Sequence, residues 1–283
     1  MKPPSAAWCG LVMRIFDVHT HVFPEKIAAR ALRHLQEVSH ELPVFSDGTR
    51  PGQLANAAKA GISGMLNCPV VTNAGQMRSV NDWVASWHAW PYLSLGGICP
   101  EAEDLLPELQ RIRQLGLPGI KLHPEYQSFN PLEERMQPVW QTCQDLNLIV
   151  FFHAGNDIGF PEPGHSKPAD FAELAQKYPR LRVVCAHMGG WRKWDEVERD
   201  LVGTNVYLDT SFALSYMPEQ EQFRRIIEKH GTERILFGSD SPWQNLWTAV
   251  NEILLLQLPK EEQDKILWQN AADLFELEEK CEC

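Results

Sequence analysis

Short apolar runs recur along the chain, and between them apolar residues fall at helical spacing. The runs lie at 14–18, 62–67, 92–98, 118–122, 148–152, 181–186, 205–209 and 234–239. Each is apolar at most positions, as a strand covered on both faces must be. The segment 105–115 places Leu105, Leu106, Leu109, Ile112 and Leu115 at helical spacing and stops at Gly116. Residues 219–230 follow Pro218, carry Phe223, Ile226 and Ile227 on one face, and stop at Gly231, a good helix terminator. Pro138 opposes one long helix over 131–146, yet fits the first turn of a helix starting near Met136. The segments 245–256, 260–268 and 270–277 read as closing helices. Strand, loop and helix thus alternate about eight times, which predicts an α/β fold, a (β/α)8 barrel with extra C-terminal helices.

The polar residues that end these runs carry the chemistry. Asp17-Val18-His19-Thr20-His21 closes the first run, and later runs end in His123, His153, His187 and Asp240. Two histidines at i, i+2 on an extended segment point the same way, so His19 and His21 can reach one metal ion. Zinc and similar divalent ions take imidazole nitrogen and carboxylate oxygen, and a catalytic site keeps one position open. His19, His21, His153 and Asp240 would supply three nitrogens and one oxygen from the first, fifth and eighth strands, the last and first being neighbours in a closed barrel. His34, His40, His88 and His230 fall on predicted helices and read as ordinary structural residues.

Composition narrows the setting. The 283 residues suit one barrel domain, for which about 250 is typical; residues 13–283 are expected to form it. Residues 1–12 read as a loose extension, with Met13 directly before the first strand as an alternative start. The net charge of −11 opposes binding to nucleic acid or to an anionic membrane. No stretch approaches the ~20 apolar residues of a membrane span. Seven cysteines without a Cys-x-x-Cys pair suggest neither a disulfide framework nor a cysteine zinc site. Cys68, Cys99, Cys143 and Cys185 sit in or beside apolar segments, which suits a reducing, cytoplasmic compartment.

The ordered set Asp-x-His-x-His, Gly-Ile-Lys-Leu-His-Pro (119–124), Phe-His-Ala-Gly (152–155), Ala-His-Met-Gly-Gly (186–190) and Phe-Gly-Ser-Asp-Ser-Pro-Trp (237–243) resembles the amidohydrolase superfamily. Within it the chain is most similar to the branch holding aminocarboxymuconate-semialdehyde decarboxylase, resorcylate decarboxylase and several lactonases. The resemblance implies a distorted barrel with one divalent metal ion, usually zinc and sometimes manganese. It assigns metal ligation to His19, His21, His153 and Asp240. It gives His187 the place of a histidine that polarises or protonates substrate, or that binds a second metal in binuclear relatives.

That resemblance implies hydrolysis of a small ester, lactone or amide by a metal-activated water. Asp240 would take the proton of the water, and His187 would donate to the oxygen gaining charge. The alternative is a non-oxidative, metal-dependent decarboxylase of small aromatic or muconate-type acids. A third reading is a barrel that has lost catalysis and serves as a scaffold; the intact ligand set opposes it. TatD-like deoxyribonucleases share the opening His-x-His but carry a Gly-Glu ligand mid-chain, which Gly97-Ile98-Cys99-Pro100-Glu101 lacks.

Asp17 is expected to orient a ligand imidazole from behind, or else to cap the strand or pair with a barrel lysine. Lys121 shares a face with His123; in binuclear members a carbamylated lysine on that strand bridges two metals, while here a buried, paired lysine is the plainer reading. His123, Trp191, Arg192 and Trp243 are candidate substrate contacts, since aromatic walls and a guanidinium suit a small cyclic or aromatic carboxylate. The loop 156–168 is long enough to cover the mouth. The partner is then a small-molecule substrate, and the dimers common among relatives make a homodimer the expected assembly by analogy.

Overall fold

Nine short parallel strands build the barrel: β1 (Phe16–Thr20), β2 (Gly64–Asn67), β3 (Tyr92–Ser94), β4 (Gly96–Gly97), β5 (Gly119–Leu122), β6 (Ile149–Phe152), β7 (Val183–Cys185), β8 (Tyr207–Asp209) and β9 (Ile235–Leu236). They come from a computed structural model that describes residues 13–40 and 42–277. The expectation of a loose extension over residues 1–12 therefore lies outside the described residues.

The strands pair in chain order as β1-β2-β3 and β4 through β9. One residue separates β3 from β4, and the N–H of that residue, Leu95, still donates to Asn67 O (3.0 Å). The run 92–97 is thus one barrel strand with a local break. At the other seam, Val18 N donates to Phe237 O (2.9 Å) and Asp240 N to His19 O (2.8 Å), with a parallel bridge between Thr20 and Ser241. These bonds carry the ring of strands back to β1. The arrangement is the eight-unit barrel that the sequence pattern predicts.

Phe16, Val18, Leu66, Phe151, Val184 and Leu236 come from five different strands yet form one buried cluster, which they can do only across the barrel interior. Trp268 and Phe275 of the closing helices pack onto that cluster. A larger cluster joins the helices to the strands.

Local chemistry explains the helices that the pattern predicted. The helix Leu105–Gln114 buries Leu109 and Ile112, and Gly116 follows it at φ +78°. The helix Gln137–Asp145 begins with Pro138 in its first turn, and Gln220–His230 ends against Gly231 at φ +96°. The two helices expected over 260–268 and 270–277 are instead one continuous run, Lys260–Asp264, a π-helical turn at Lys265–Gln269, and Asn270–Phe275. The widened turn leaves Ile266 O to accept from Phe237 N (2.9 Å), tying the closing helix to the last strand. His40 lies past the end of Glu25–Val38 and His88 in a loop, not on helices as expected; His88 Nδ1 accepts from Ser94 N (2.9 Å).

Candidate metal centre and its surroundings

The candidate metal ligands, His123 and His187 stand at or just beyond the C-terminal ends of strands, whereas Asp17 is the second residue of β1. His19 is on β1, Lys121 on β5, and His123, His153 and His187 follow β5, β6 and β7. Two of the turns are strained. His187 and Asp240 adopt left-handed backbone (φ 59° and 61°), a conformation that costs non-glycine residues energy and that concentrates at functional sites.

Among the described residues, three groups bring possible metal donors within 4.8 Å of one another: His19, His187 and Asp209; His19, His21 and Asp240; His123, His153 and Asp157. Hydrogen bonding sorts them. His19 Nδ1 donates to Asp209 Oδ2 (2.8 Å), with Ser211 Oγ also at 3.0 Å. His187 Nδ1 donates to the carbonyl of Ser211 (3.0 Å). The first group is therefore a bracket of N–H bonds that fixes two rings.

In the third group, His123 Nδ1 accepts from Tyr126 N (3.3 Å), which leaves an Nε2–H facing Asp157 Oδ2 at 3.4 Å. His153 Nε2 donates to Asn156 O (3.0 Å), and the two rings lie stacked at 3.9 Å. His123 Nε2, the nitrogen facing the carboxylate, carries a proton, and His153 Nε2 spends its own on a backbone carbonyl. This group binds a proton network, not a cation.

The second group fits a divalent ion. With Nδ1 committed to Asp209, His19 must present the Nε2 lone pair inward, as metal-ligating histidines held by a carboxylate do. Asp240 Oδ1 lies 3.4 Å from that nitrogen and 3.0 Å from His21 Nε2. Burial holds the His19 imidazole well below its ordinary value and keeps it neutral. For Asp240, burial alone would push the carboxyl up, but His19 and His21 beside it hold it well below the usual carboxylate range. Imidazole nitrogens beside an ionised carboxylate are the donor set a divalent cation takes.

His153 does not join that group directly. Its Nδ1 lies 3.1 Å from His187 Nε2, and His187 in turn lies beside His19, ring centroids 5.3 Å apart. Burial keeps His153 and His123 neutral as well. Both nitrogens at the 3.1 Å contact are lone-pair atoms, because each ring donates through its other nitrogen to a backbone carbonyl. Two acceptors at that distance call for a cation between or beside them.

Asp17 takes the capping alternative and not the place behind a ligand ring. Its carboxylate accepts from His19 N (3.1 Å), Ser239 N (3.0 Å) and Ser239 Oγ (2.5 Å), stitching the first strand to the last. The β1–β2 register slips between Asp17 and Thr20, so the simple two-residue alternation fails here. Asp209 fills the role of holding the His19 ring. It was missed, although Tyr207-Leu208-Asp209 ends an apolar run just as Asp240 does.

Lys121 is fully buried, with Nζ 3.1 Å from His19 Nε2 and 4.3 Å from the Phe151 ring centroid. Its hydrogen-bond partner is His19, and among the described residues it makes no ion pair. Around the mouth stand aromatic rings. Tyr126 meets His123 and Phe160 edge-on (4.4 and 4.8 Å), and Phe212 stacks on Tyr216 (4.3 Å). Arg192 lies over the Trp191 ring at 4.3 Å, and Tyr216 approaches that ring at 6.1 Å. Trp243 is half-buried, and its backbone N–H donates to Asp240 O (2.9 Å), bracing the Asp240 turn.

A family model for amidohydrolases matches residues 16–277. The chain is 26% identical over 270 residues to the gamma-resorcylate decarboxylase of Polaromonas sp. (strain JS666 / ATCC BAA-500), covering 75% of this chain and 82% of that one. Its fold is similar to that of an uncharacterized TIM-barrel protein from Bordetella bronchiseptica, with a TM-score of 0.73, 21% identity, and 92% and 98% of the two chains covered. It is also similar to the fold of 5-carboxyvanillate decarboxylase from Novosphingobium aromaticivorans, complexed with manganese and 4-hydroxy-3-methoxy-5-nitrobenzoic acid, with a TM-score of 0.70, 16% identity, and 95% and 97% covered.

These matches correct one expectation. Hydrolysis of an ester, lactone or amide stood as the leading activity, and the sequence relative is instead a decarboxylase. The activity of that relative is of the kind the alternative named. Motif order alone had no power to separate the two, since both chemistries use the same strand-end ligands.

Proposed function

The chain belongs to the amidohydrolase family, and on that premise we propose that it is a metal-dependent, non-oxidative decarboxylase of a small hydroxylated aromatic acid. One observation carries the reading. The lone pair of His19 Nε2, fixed by Asp209, stands beside Asp240 Oδ1, itself 3.0 Å from His21 Nε2, at the mouth of a barrel similar in sequence to a gamma-resorcylate decarboxylase.

His19, His21 and Asp240 would hold one divalent cation, with His153 Nδ1 as the further donor. Manganese has precedent in the 5-carboxyvanillate enzyme, and zinc suits the same nitrogens and oxygen. When bound, such a cation supplies fixed positive charge against which a carboxylate and a neighbouring phenolate can be held.

The remaining steps fall to the chain. Arg192 meets the substrate's acidic group from the rim, with Trp191 beneath the guanidinium. Tyr126, Phe160, Phe212 and Tyr216 face the ring and keep water from the mouth. The bond between ring carbon and carboxyl carbon breaks, carbon dioxide leaves, and the electron pair stays on the ring carbon. That carbon takes a proton in exchange, one that His187 Nε2, a lone-pair edge, would first pick up from the substrate's phenol or from solvent and then hand on. Four buried free thiols, Cys68, Cys99, Cys143 and Cys185, accord with a reducing, cytoplasmic setting. Among the described residues, no helix is long and apolar enough to cross a membrane.

The test is carbon dioxide release from a panel of hydroxybenzoates, with the protein loaded with manganese or zinc and then stripped with a chelator. Metal-dependent release from at least one acid is expected. Turnover of esters or lactones with no release from any acid would overturn the reading.

A further inference from the structure

We propose that Lys121 is a built-in competitor of the metal, its ammonium holding the inward nitrogen of His19 whenever the cation is absent. The inference rests on the metal-dependent reading above and concerns how the site is filled. His19 has one nitrogen committed to Asp209 and Ser211, so Nε2 is the sole edge left for any partner. Lys121 Nζ sits at that edge, 3.1 Å away. A single lone pair serves one partner at a time, so a cation bound through Nε2 must drive Nζ off.

The surroundings make the competition strong. Lys121 is 1% exposed and comes from β5, on the far side of the barrel interior from β1. Among the described residues it has no carboxylate within ion-pair distance; its other contact is the Phe151 ring face at 4.3 Å. Cys68 and Cys185, the thiols near it, are buried and neutral, burial having pushed both up. His19 Nε2 is therefore the best acceptor the ammonium has. Leaving it forfeits a hydrogen bond to a charged group, and metal affinity falls by that amount. The benefit is occupancy control, because the ammonium keeps a neutral imidazole from being left as an open acceptor in the core.

The experiment is a titration of metal-free wild-type protein and Lys121→Met with manganese and with zinc, against a chromophoric chelator. Lys121→Met is expected to bind on the order of ten- to a hundredfold tighter, the worth of one hydrogen bond to a charged group. Circular dichroism and a thermal scan establish that the variant folds; Lys121→Gln, shorter and uncharged, should shift affinity in the same direction if the Met variant does not. Equal or weaker affinity in folded variants overturns the inference and leaves the decarboxylase reading standing. Wild-type protein that takes up neither metal removes that reading itself.

Discussion

Nδ1 of His153 faces Nε2 of His187 at 3.1 Å, and neither nitrogen has a proton to offer the other. Each ring has already spent its N–H on a backbone carbonyl, His153 on Asn156 and His187 on Ser211. Two acceptor lone pairs at this separation repel in a buried setting, where an unmade hydrogen bond is expensive. The contact becomes favourable once a cation engages one of the two lone pairs. Much of the site's design can be read from that relationship.

Metal removal should therefore lower stability as well as activity. A ligand at a hundred times its Kd contributes about 2.7 kcal/mol to the folded state, and each kcal/mol moves the melting point of a chain this size by roughly 2–4 °C. We expect the melting temperature to rise by about 5 °C or more when manganese or zinc is restored to chelator-treated protein. Differential scanning calorimetry on matched samples checks this, and identical scans would argue against a bound cation.

His187→Asn should retain metal and lose turnover. His187 Nδ1 is tied down, its Nε2 is the free edge, and the strained turn at φ 59° holds it there. Proton transfer by one positioned group is typically worth about 100- to 10,000-fold, and we expect a loss in that range with metal content near wild type. Unchanged rates would take His187 out of the mechanism.

Asp209→Asn should weaken metal binding about 10- to 100-fold, the usual effect of removing the carboxylate behind a ligating histidine. An amide in that place can present its NH2 to His19 Nδ1, turning the ring's proton to the inward nitrogen and blocking the lone pair. Asp209 also accepts from His187 N and Ser211 N (3.0 and 2.9 Å), so both imidazoles lose alignment together. The chelator titration reads the affinity; a variant with wild-type affinity would show that Asp209 serves the backbone alone.

What the sequence disclosed and what it withheld divide along physical lines. The strands were legible because burial on both faces leaves an apolar run that needs no partner to be recognised, and the residues at their ends came with them. The break at Leu95 and the π turn at Lys265–Gln269 were not, since both depend on how a strand meets its neighbours. For the same reason Asp209, which the sequence marked for no role, holds the His19 ring, and Asp17 serves as a cap. Asp17 is two residues from His19, yet a register slip turns its carboxylate to backbone N–H groups. Asp209 is 190 residues away and reaches the ring itself. Which nitrogen of each histidine bears the proton is likewise a property of partners brought by the fold. The choice between hydrolysis and decarboxylation lies further still from the pattern, in substrate contacts that the ligand motif does not encode.

Arg192→Ala should raise KM for the acid about 10- to 100-fold, the worth of a charged hydrogen bond, with a smaller change in kcat. The guanidinium is exposed at the rim and held by the Trp191 face, not by a carboxylate, so it is free to meet an anion. Arg192→Lys should recover little, because an ammonium offers neither the planar stacking nor the paired donors. Steady-state kinetics separates the two parameters, and a fall in kcat alone would relocate Arg192 from binding to chemistry.

Glu198 tests the scaffold away from the site. It accepts from Arg225 (3.1 Å), Lys229 (3.2 Å) and Gln222 (3.3 Å), joining the π-helical turn Val197–Leu201 to the helix Gln220–His230. Chiefly through Arg225, these donors pull its carboxyl from the ordinary 4.5 down to about 2. A depressed carboxyl contributes stability above its unfolded value and loses it as pH falls toward the folded one, so the contribution is complete above pH 4.5 and gone near pH 2. Arg225 and Lys229 are 38% and 59% exposed, which keeps the energy at surface scale. Glu198→Gln is expected to lose at most about 1 kcal/mol at pH 7 and less in high salt. Urea unfolding at pH 7 and pH 3 reads the difference, and a deficit that grows as pH falls would reverse the assignment.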